Sequence, residues 1–258
     1  MWIRNEKGYS EIVKFQLVEL ENRSLTKEIG EVTKLESYEN IGIIFDLDGT
    51  LWDASKQVVP AWNRVLDLYP QLHKHITETD MQGFMGKTLD TIAGLMFPNL
   101  DEKESLKILR ECCQEEQIYL QEHGGTLYPN LEKTLMFLQD KYKLFIVSNC
   151  QDGYVQAFLN HHGLGRYFID YEMSGRTGQI KGENIKLILD RNHLTKAIYV
   201  GDTKSDMEAA FYADVPFIYA KYGFGNLDYG KNVIDSIEQI IDCVNKIFAT
   251  YNNDFIEL

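Results

Sequence analysis

From Ile41 onward, the chain alternates between short apolar runs and longer stretches with helical spacing. Three of the apolar runs lead directly to a polar or acidic residue: IGIIF to Asp46, YKLFIV to Ser148, and KAIYVG to Asp202. A fourth run, VPFIYA, follows later in the chain. The run IGIIF shows no polar alternation, which is typical of a strand buried on both faces of a parallel sheet.

Helical patterns separate these runs. Val155, Phe158 and Leu159 recur at helical spacing after the second run, and Gly163 follows them where a C-terminal cap is expected. The segments SDMEAAFYAD and DSIEQIIDCVNKIFATY predict two further helices, the second one amphipathic and terminal. Strands that alternate with helices predict an α/β fold, a doubly wound, Rossmann-like parallel sheet with right-handed crossovers.

The stretch between Trp52 and Gly125 departs from this alternation, because it is helical throughout by pattern. It contains VVPAWNRVLDLY, KTLDTIAGLMF and DEKESLKILRECCQEEQIYLQEH, and no strand pattern separates them. We predict an α/β core from residues 41–55 and 126–258, a small all-helical cap from 56–125, and an N-terminal extension, 1–40, of unknown role. A cap inserted at this point lies above the carboxyl edge of the sheet, where it can exclude water.

Composition and charge narrow the range of partners. The chain has 258 residues, of which 44% are hydrophobic and 25% charged, and a formal net charge of −13. This acidic balance disfavours nucleic acid and anionic membranes as partners. No stretch approaches the roughly 20 apolar residues of a membrane span, and the N-terminus lacks the pattern of a signal peptide. The four cysteines have no metal-binding spacing, so we expect a reduced, cytoplasmic protein.

The first strand ends in an unusual pair of acids. Asp46 and Asp48 are separated by Leu47, and Gly49 then breaks the strand. Residues i and i+2 of an extended chain point the same way, so both carboxylates are expected at one spot at the carboxyl end of the strand, where open α/β sheets bind ligands. The pair predicts a metal site, an acid/base pair, or both. The structural alternative is a turn whose aspartates cap the next element.

Three other stretches carry weaker signals. Ser148 ends the second apolar run, where a hydroxyl could donate to a phosphate oxygen or could cap a helix. Lys181, in TGQIKGEN, taken alone reads as a surface lysine. Asp202 ends the third run, and Asp206 lies four residues later in the first turn of a predicted helix, where the helix dipole favours an acid in any case.

In order and spacing, these stretches resemble the haloacid dehalogenase-like superfamily of phosphohydrolases. The first motif of that family, DxDGT, stands here as Asp46-Leu47-Asp48-Gly49-Thr50, and the fourth, GDxxxD, runs from Gly201-Asp202 to Asp206. Ser148 matches the second motif and Lys181 the third. The resemblance covers roughly residues 41–230. The helical cap predicted here, inserted after the first motif, resembles the caps of phosphoglycolate phosphatases and β-phosphoglucomutases.

The resemblance implies the roles of the acids. Asp46 would be the nucleophile that forms an aspartyl-phosphate, and Asp48 would protonate the leaving oxygen and then deprotonate the hydrolytic water. A Mg²⁺ ion would be held by Asp46, Asp202, the backbone carbonyl of Asp48 and waters, and it would offset the repulsion between the carboxylate and the phosphate.

The resemblance also implies a set of supporting residues. Asp206 would order the metal's ligand shell. Ser148 and Lys181 would hold phosphate oxygens as charge builds during transfer, and Thr50 and Asn149, the latter through its backbone amide, would add to phosphate binding.

Lys87 lies in a stretch, MQGFMGKT, that ends like a nucleotide-binding P-loop. Met81 stands where that loop needs a glycine, and HITETD rather than a hydrophobic strand precedes it, which excludes a P-loop. The resemblance implies instead that a cap loop brings Lys87 to the substrate. A solvent-facing lysine at a helix start is the alternative.

The function implied by the resemblance is magnesium-dependent hydrolysis of a small phosphate monoester. A sugar-phosphate mutase would use the same motifs, although GKTLDTI lacks the arginine-and-serine pattern of that group. A dehalogenase is disfavoured, because it needs neither a metal nor Asp48, and this chain has Asp48, Asp202 and Asp206. A binding or regulatory module of the same fold is a further alternative, and the presence of every catalytic acid argues against it.

Overall fold

The computed structural model describes residues 40–253, so nearly all of the N-terminal extension predicted for residues 1–40 lies outside the described residues. Its central element is a six-stranded parallel sheet with the spatial order β5-β4-β1-β6-β7-β8. The strands are β1 (Ile41–Phe45), β4 (Lys143–Ser148), β5 (Phe168–Met173), β6 (Lys196–Gly201), β7 (Phe217–Ala220) and β8 (Val233–Ile234). Two further short strands, β2 (Trp52–Asp53) and β3 (Thr126–Leu127), form a separate antiparallel pair.

Ten α-helices accompany the sheet in the described part of the chain. Four lie between β2 and β3: α1 (Ser55–Leu66), α2 (Glu78–Phe84), α3 (Leu89–Met96) and α4 (Glu102–His123). The other six follow β3: α5 (Leu131–Gln139), α6 (Tyr154–His162), α7 (Ser174–Thr177), α8 (Lys181–Arg191), α9 (Lys204–Tyr212) and α10 (Ile240–Asn253). None of the described helices is both long and apolar enough to cross a membrane.

Helices cover both faces of the sheet. Successive residues of β1 point to opposite faces, and Ile43 and Ile44 accordingly belong to two different clusters of buried side chains. The Ile43 cluster includes residues of α5, α6 and α10, and the Ile44 cluster includes residues of α8 and α9. A parallel sheet covered on both faces explains why its strands read as continuous apolar runs. The predicted α/β, doubly wound fold is confirmed.

The inserted helices bury their apolar faces against one another and against the core. Trp62 of α1 and Leu109 of α4 are buried in the same cluster as Phe158 of α6. The insert begins and ends at the β2–β3 pair, in which Trp52 lies opposite Leu127 and Asp53 opposite Thr126. The prediction that the stretch from Trp52 onward is helical throughout was therefore wrong at its start. A two-residue strand is defined by its partner far along the chain, and no local alternation marks it.

The edge strands β5 and β8 lack the continuous apolar run that identifies the central strands in the sequence. β5 carries polar residues within FIDYEM, and its second residue, Ile169, is exposed. β8 contains only two residues. Strands at the two edges of a sheet lack the two-sided burial that produces a continuous apolar run, so the pattern that identifies β1, β4 and β6 does not apply to them.

Candidate active site

The predicted site residues lie at the carboxyl ends of three adjacent strands. β1 pairs with β4 on one side and with β6 on the other. Asp46 directly follows β1, Ser148 is the last residue of β4, and Asp202 directly follows β6. Because the chain runs outward from β1 in both directions, these ends meet at the switch point of strand order, where open α/β sheets bind ligands.

Three carboxylates converge at this point. Asp46, Asp202 and Asp206 each offer an oxygen within 4.8 Å of the others, and all three residues are buried. Burial, reinforced by the nearby Asp206 carboxylate, raises the pKa of Asp46 to about 7. The same two causes hold the pKa of Asp202 well above its usual range. The cluster therefore carries more negative charge than its surroundings stabilise.

The donor set of this cluster fits a divalent cation. Two buried oxygens, Oδ2 of Asp46 and Oδ1 of Asp202, have no hydrogen-bond partner. Unpartnered buried carboxylate oxygens are costly, and clustered oxygen ligands are those that Mg²⁺ and Ca²⁺ prefer. Both the unpartnered oxygens and the raised pKa values indicate that this site fits the positive charge of a divalent cation.

Lys181 supplies one positive charge to the cluster. Its side chain is 3% exposed, and its Nζ lies 2.8 Å from Asp46 Oδ1 and 2.6 Å from Asp206 Oδ1. Burial by itself lowers the pKa of Lys181, but the two carboxylates outweigh it and raise that pKa above its ordinary value. The lysine is therefore charged, and it is a buried group of the site rather than the surface lysine that TGQIKGEN would suggest alone.

Asp206 has a structural role as well as its place in the cluster. It is the third residue of α9, where its Oδ2 accepts hydrogen bonds from Thr203 N at 2.8 Å and from Thr203 Oγ1 at 2.6 Å. Together with the bond from Asp206 N back to Thr203 Oγ1, this forms a capping box. The same carboxylate binds Lys181 through Oδ1, so helix capping orients Asp206 toward the site.

Two loops hold Asp202 closely. Its Oδ2 accepts hydrogen bonds from the backbone N–H groups of Phe224 at 2.7 Å and Gly225 at 3.3 Å. On the other side lies Gly49, whose φ is +81° and where a Cβ would lie 2.3 Å from Asp202 Oδ2. The glycine of the first motif is thus required both by its backbone conformation and by the space that Asp202 occupies.

Asp48 lies outside the three-carboxylate group and is held separately. Its Oδ1 accepts hydrogen bonds from Trp52 Nε1 at 2.9 Å and from Tyr154 Oη at 2.8 Å. Burial raises the pKa of Asp48 to about 6, while these two hydrogen bonds lower it. No hydrogen bond described in residues 40–253 uses Oδ2 of Asp48, so one oxygen is anchored and the other is left for chemistry.

The residues predicted to bind phosphate lie beside these acids. Ser148 is buried, and its Oγ accepts a long, 3.4 Å hydrogen bond from Cys150 N. Thr50 Oγ1 is buried without a hydrogen-bond partner. The Asn149 side chain connects two parts of the molecule: its Nδ2 donates to Gly86 O of the insert at 2.9 Å, and its Oδ1 accepts from Ser174 Oγ at 2.9 Å.

A small cavity joins the core to the inserted helices. Its volume is about 50 Å³, and it is lined by Asp48 and Ser148 from the core and by Trp62, Phe84 and Glu116 from the insert. Asp46 is 1% exposed and does not line this cavity. The insert therefore forms a wall beside Asp48, and the three-carboxylate cluster is buried.

The structure places Lys87 at the edge of the same cavity. Lys87 is exposed and lies between α2 and α3, next to Gly86, which contacts Asn149. The segment runs from helix to helix, whereas a P-loop runs from strand to helix, so the exclusion of a P-loop is confirmed. Contact between Lys87 and a substrate stays a prediction.

Several residues of the site were missed by sequence reasoning. Trp52, Tyr154 and Glu116 are part of ordinary core or helix patterns, and nothing in those patterns shows that an indole, a phenol or a carboxylate faces the site. The loop that holds Asp202 carries a signal that could have been used, the glycines of YGFGN, which allow a close backbone approach.

Comparison with known proteins identifies the family to which this chain belongs. A family model described as haloacid dehalogenase-like hydrolase matches residues 43–220. The chain belongs to the haloacid dehalogenase-like hydrolases. The matched range contains every predicted site residue, and it covers the sheet from the third residue of β1 to the end of β7. The expectation that this chain is an enzyme of the superfamily is confirmed.

Curated relatives of this hydrolase include two bacterial proteins named phosphoglycolate phosphatase. The one from Vibrio parahaemolyticus is 27% identical over 197 residues, which cover 71% of this chain and 85% of the relative. The one from Aquifex aeolicus is 26% identical over 198 residues, which cover 72% of this chain and 87% of the relative.

Solved structures share the fold of this hydrolase. A haloacid dehalogenase-like family hydrolase from Streptococcus pneumoniae matches with a TM-score of 0.66 at 21% identity, covering 80% of this chain and 98% of that one. A predicted phosphoglycolate phosphatase from Haemophilus somnus matches with a TM-score of 0.68 at 22% identity, covering 81% and 98%.

Proposed function

We propose that this hydrolase is a magnesium-dependent phosphatase that cleaves a small phosphate monoester through an aspartyl-phosphate on Asp46. The observation that carries the proposal is the arrangement of Asp46, with an unpartnered buried oxygen, beside a separately anchored Asp48. The names of the curated relatives support a phosphate ester as substrate. The absence of nucleic acid and membrane partners and the cytoplasmic location expected from the sequence belong to the same proposal.

Asp46, Asp202 and the backbone carbonyl of Asp48 would hold the Mg²⁺ ion, and Asp206 would order its surroundings. When bound, the ion supplies positive charge that offsets the repulsion between the Asp46 carboxylate and the phosphate dianion. The fit of this group to the site rests on the unpartnered oxygens of Asp46 and Asp202 and on the raised pKa values of both residues.

Asp46 and Asp48 have different roles in the proposed reaction. An oxygen of Asp46 attacks phosphorus, and the bond from phosphorus to the ester oxygen breaks. Asp48, anchored through Oδ1, gives a proton to the leaving alcohol and later takes one from the water that attacks the aspartyl-phosphate. The proton therefore returns to Asp48 after each cycle, and inorganic phosphate leaves with Asp46 regenerated.

Four residues would bind the phosphate during these steps. Lys181 provides a buried ammonium group, Ser148 and Thr50 provide hydroxyl groups, and Asn149 provides its backbone amide. Lys181 is paired with Asp46 and Asp206 in the structure, so in our proposal it exchanges part of this pairing for a phosphate oxygen.

The helical segment 56–125 would act as a cap that excludes water from the reaction. It forms one wall of the cavity beside Asp48 and Ser148, and a cavity of about 50 Å³ suits a short alcohol. Lys87, at the edge of that cavity, is the cap residue that we propose to contact the substrate.

The test compares amide substitutions of the two acids. Asp46→Asn removes the nucleophile, so no phosphoenzyme should form with any substrate. Asp48→Asn keeps the nucleophile and loses proton transfer, a step typically worth about 10²–10⁴-fold. p-Nitrophenolate leaves with little protonation, so the Asp48 variant should form phosphoenzyme from p-nitrophenyl phosphate and release phosphate slowly.

Rapid mixing with acid quench should detect this as protein-bound phosphate in the Asp48 variant alone. Trapped phosphate in the Asp46 variant would contradict the assignment of the nucleophile. Full turnover without any covalent intermediate would contradict the mechanism.

A further inference from the structure

The cavity beside Asp48 and Ser148 contains two polar side chains that the proposed mechanism does not use. Glu116 comes from α4 of the insert, and Gln151 comes from the loop after β4. The remaining wall on the insert side is largely apolar, with Met81, Phe84 and Ile92 among its residues. Polar groups in an otherwise apolar pocket fix the orientation and the identity of a ligand.

Glu116 has one committed oxygen and one free oxygen. The residue is 5% exposed, and its Oε2 accepts a 2.6 Å hydrogen bond from Trp62 Nε1. No hydrogen bond to Oε1 and no ion pair to Glu116 is present in residues 40–253. Burial raises the pKa of Glu116 to about 8, while the hydrogen bond from Trp62 lowers it. Because no hydrogen bond among the described residues uses Oε1 of Glu116, this oxygen is available to a ligand.

Gln151 contributes a free donor to the same cavity. Its Nε2 is buried and makes no hydrogen bond of good geometry, although the amide lies near enough to lower the pKa of Glu116. Buried polar groups in native proteins are nearly always paired with protein or with water. A free donor and a free carboxyl oxygen, close together and facing one cavity, therefore point to a ligand group that contacts both.

We propose, resting on the phosphatase function above, that this site selects phosphate monoesters whose alcohol carries a second hydroxyl group, recognised by Glu116 and Gln151. A hydroxyl both donates and accepts, so it pairs with Gln151 Nε2 and with Glu116 Oε1 whether or not that carboxyl is protonated. It also reproduces the hydrogen bonds of a water at the same position, which a substrate must displace.

An ammonium, a methyl or a carboxylate group pairs less well than a hydroxyl group with Glu116 and Gln151. An ammonium group has no acceptor for Gln151 Nε2, and a methyl group leaves both polar side chains unpaired. A carboxylate can only accept, so it pairs with Glu116 only while that carboxyl keeps its proton; above the Glu116 pKa of about 8 it meets a second negative charge, and no ion pair reaches Glu116 in the described residues. The cavity volume of about 50 Å³ limits the alcohol to a few carbon atoms.

Three esters of similar size separate these possibilities: 2-hydroxyethyl phosphate, propyl phosphate and 2-phosphoglycolate. The wild type should favour the hydroxyl ester over propyl phosphate by about tenfold in kcat/KM, the usual worth of one or two hydrogen bonds to a substrate. Above the Glu116 pKa of about 8, where that carboxyl is ionised, it should favour the hydroxyl ester over 2-phosphoglycolate by at least as much.

Two variants test the recognising residues. Glu116→Met and Gln151→Met each remove one partner and keep a similar volume, so each should reduce the preference for the hydroxyl ester over propyl phosphate to about threefold or less. A residue that only supports the fold would lower both rates together. Glu115→Met, next to Glu116 but partly exposed and paired with Arg64, is the matched control and should keep the wild-type preference.

A wild type that shows no preference for the hydroxyl ester over propyl phosphate, or that prefers 2-phosphoglycolate above the Glu116 pKa of about 8, overturns the inference. So do two variants that both retain the preference. Failure of the proposed function looks different: none of the three esters, nor p-nitrophenyl phosphate, would then be hydrolysed.

Discussion

At the scale of single residues, Asp48 shows how neighbours assign a role to a carboxylate. Two buried aromatic residues, Trp52 and Tyr154, donate to the same oxygen, and their rings lie edge to face with centroids 5.6 Å apart. Because both donors are fixed by packing, Asp48 is held in one orientation with Oδ2 uncommitted. Positioning of this kind lowers the entropy lost when a proton is transferred.

Tyr154→Phe should therefore impair the reaction in a manner that depends on the leaving group. The variant keeps the ring and loses one hydrogen bond to Asp48, worth about 1 kcal/mol or roughly fivefold. We expect kcat for propyl phosphate to fall by about that factor, and kcat for p-nitrophenyl phosphate to change less because its leaving group needs little protonation. Equal losses for both substrates would contradict a positioning role. Tyr167→Phe, which removes a hydroxyl bound to Glu132 instead, is the control.

Glu116 should make the stability of the protein depend on pH. Its pKa is raised to about 8 in the folded state by burial, so between about pH 4.5 and 8 the folded state keeps a proton that the unfolded state has lost. The free energy of unfolding should therefore fall as pH rises through this range. Glu116→Gln removes this contribution while leaving an acceptor for Trp62.

Urea unfolding at pH 6 and at pH 8.5 measures the effect. The Glu116→Gln variant should gain up to a few kcal/mol relative to wild type at the higher pH and lose most of that gain at the lower one. The neighbouring change Glu115→Gln, at a partly exposed position, should follow the wild type. Parallel curves for Glu116→Gln and wild type would contradict the assigned burial effect.

The convergence of the four site acids could be predicted from sequence, and the residues that support them could not. Asp46, Asp48, Asp202 and Asp206 follow apolar runs at spacings that place them together whatever the rest of the chain does. Glu116 reaches the site only because α4 packs against the core, and an isolated glutamate in an amphipathic helix looks like any solvent-facing one. Such roles depend on contacts between residues distant in the chain.

At the scale of elements, the loop between α2 and α3 is where the insert meets the core. Asn149 binds the carbonyl of Gly86, and a Cβ at Gly86 would lie 3.3 Å from Thr203 Cγ2, at the N-terminus of α9. The φ of Gly86 is +76°. The loop therefore approaches the helix that carries Asp206 in a backbone conformation that L-residues rarely adopt.

Alanine substitutions at two neighbouring glycines should have opposite effects. Gly86→Ala places a side chain at positive φ, which costs roughly 1–2 kcal/mol. Gly83→Ala, inside α2 with open space around its Cβ, should stabilise the protein by roughly 0.5–1 kcal/mol. Chemical denaturation measures both. Gly86→Ala should also lower phosphatase activity, and a neutral Gly86→Ala would show that this loop is not constrained as described.

Elements differ in how well the sequence predicts them. β1, β4 and β6 are buried on both faces and appear as apolar runs, and α6 ends at Gly163 in the left-handed conformation expected of its cap. The edge strand β5 and the two-residue strands β2 and β3 exist because a partner lies alongside them. Pairing across long stretches of chain leaves no local pattern.

At the scale of the whole molecule, the site opposes folding until its charge is neutralised. Three buried carboxylates share one ammonium group, and repulsion among them must be overcome by the packing of the two hydrophobic clusters. Ligands that bind only the folded state add to its stability in proportion to the logarithm of their concentration.

Magnesium should therefore stabilise the protein, and a chelator should remove both this stabilisation and the activity. At a concentration of 100 times its Kd, the ion would add about 2.7 kcal/mol, seen as a rise in Tm. Asp202→Asn should abolish the magnesium-dependent rise, whereas Asp235→Asn, at an exposed pair with Lys221, should retain it. Full activity after exhaustive metal removal would contradict the magnesium assignment.

Calcium should also raise Tm but should not support turnover, because its larger coordination shell disturbs in-line attack.

The short β2–β3 pair has a consequence for how such enzymes can diversify. It places the exit and the return of the chain side by side, so the segment between Asp53 and Thr126 leaves and re-enters the core at one covalent junction. The entropy of closing a flexible loop grows only with the logarithm of its length, and doubling the length adds about 0.6 kcal/mol. Insertions, deletions or exchange of the segment can therefore change the wall of the cavity while strand register and the acids beneath it are inherited unaltered.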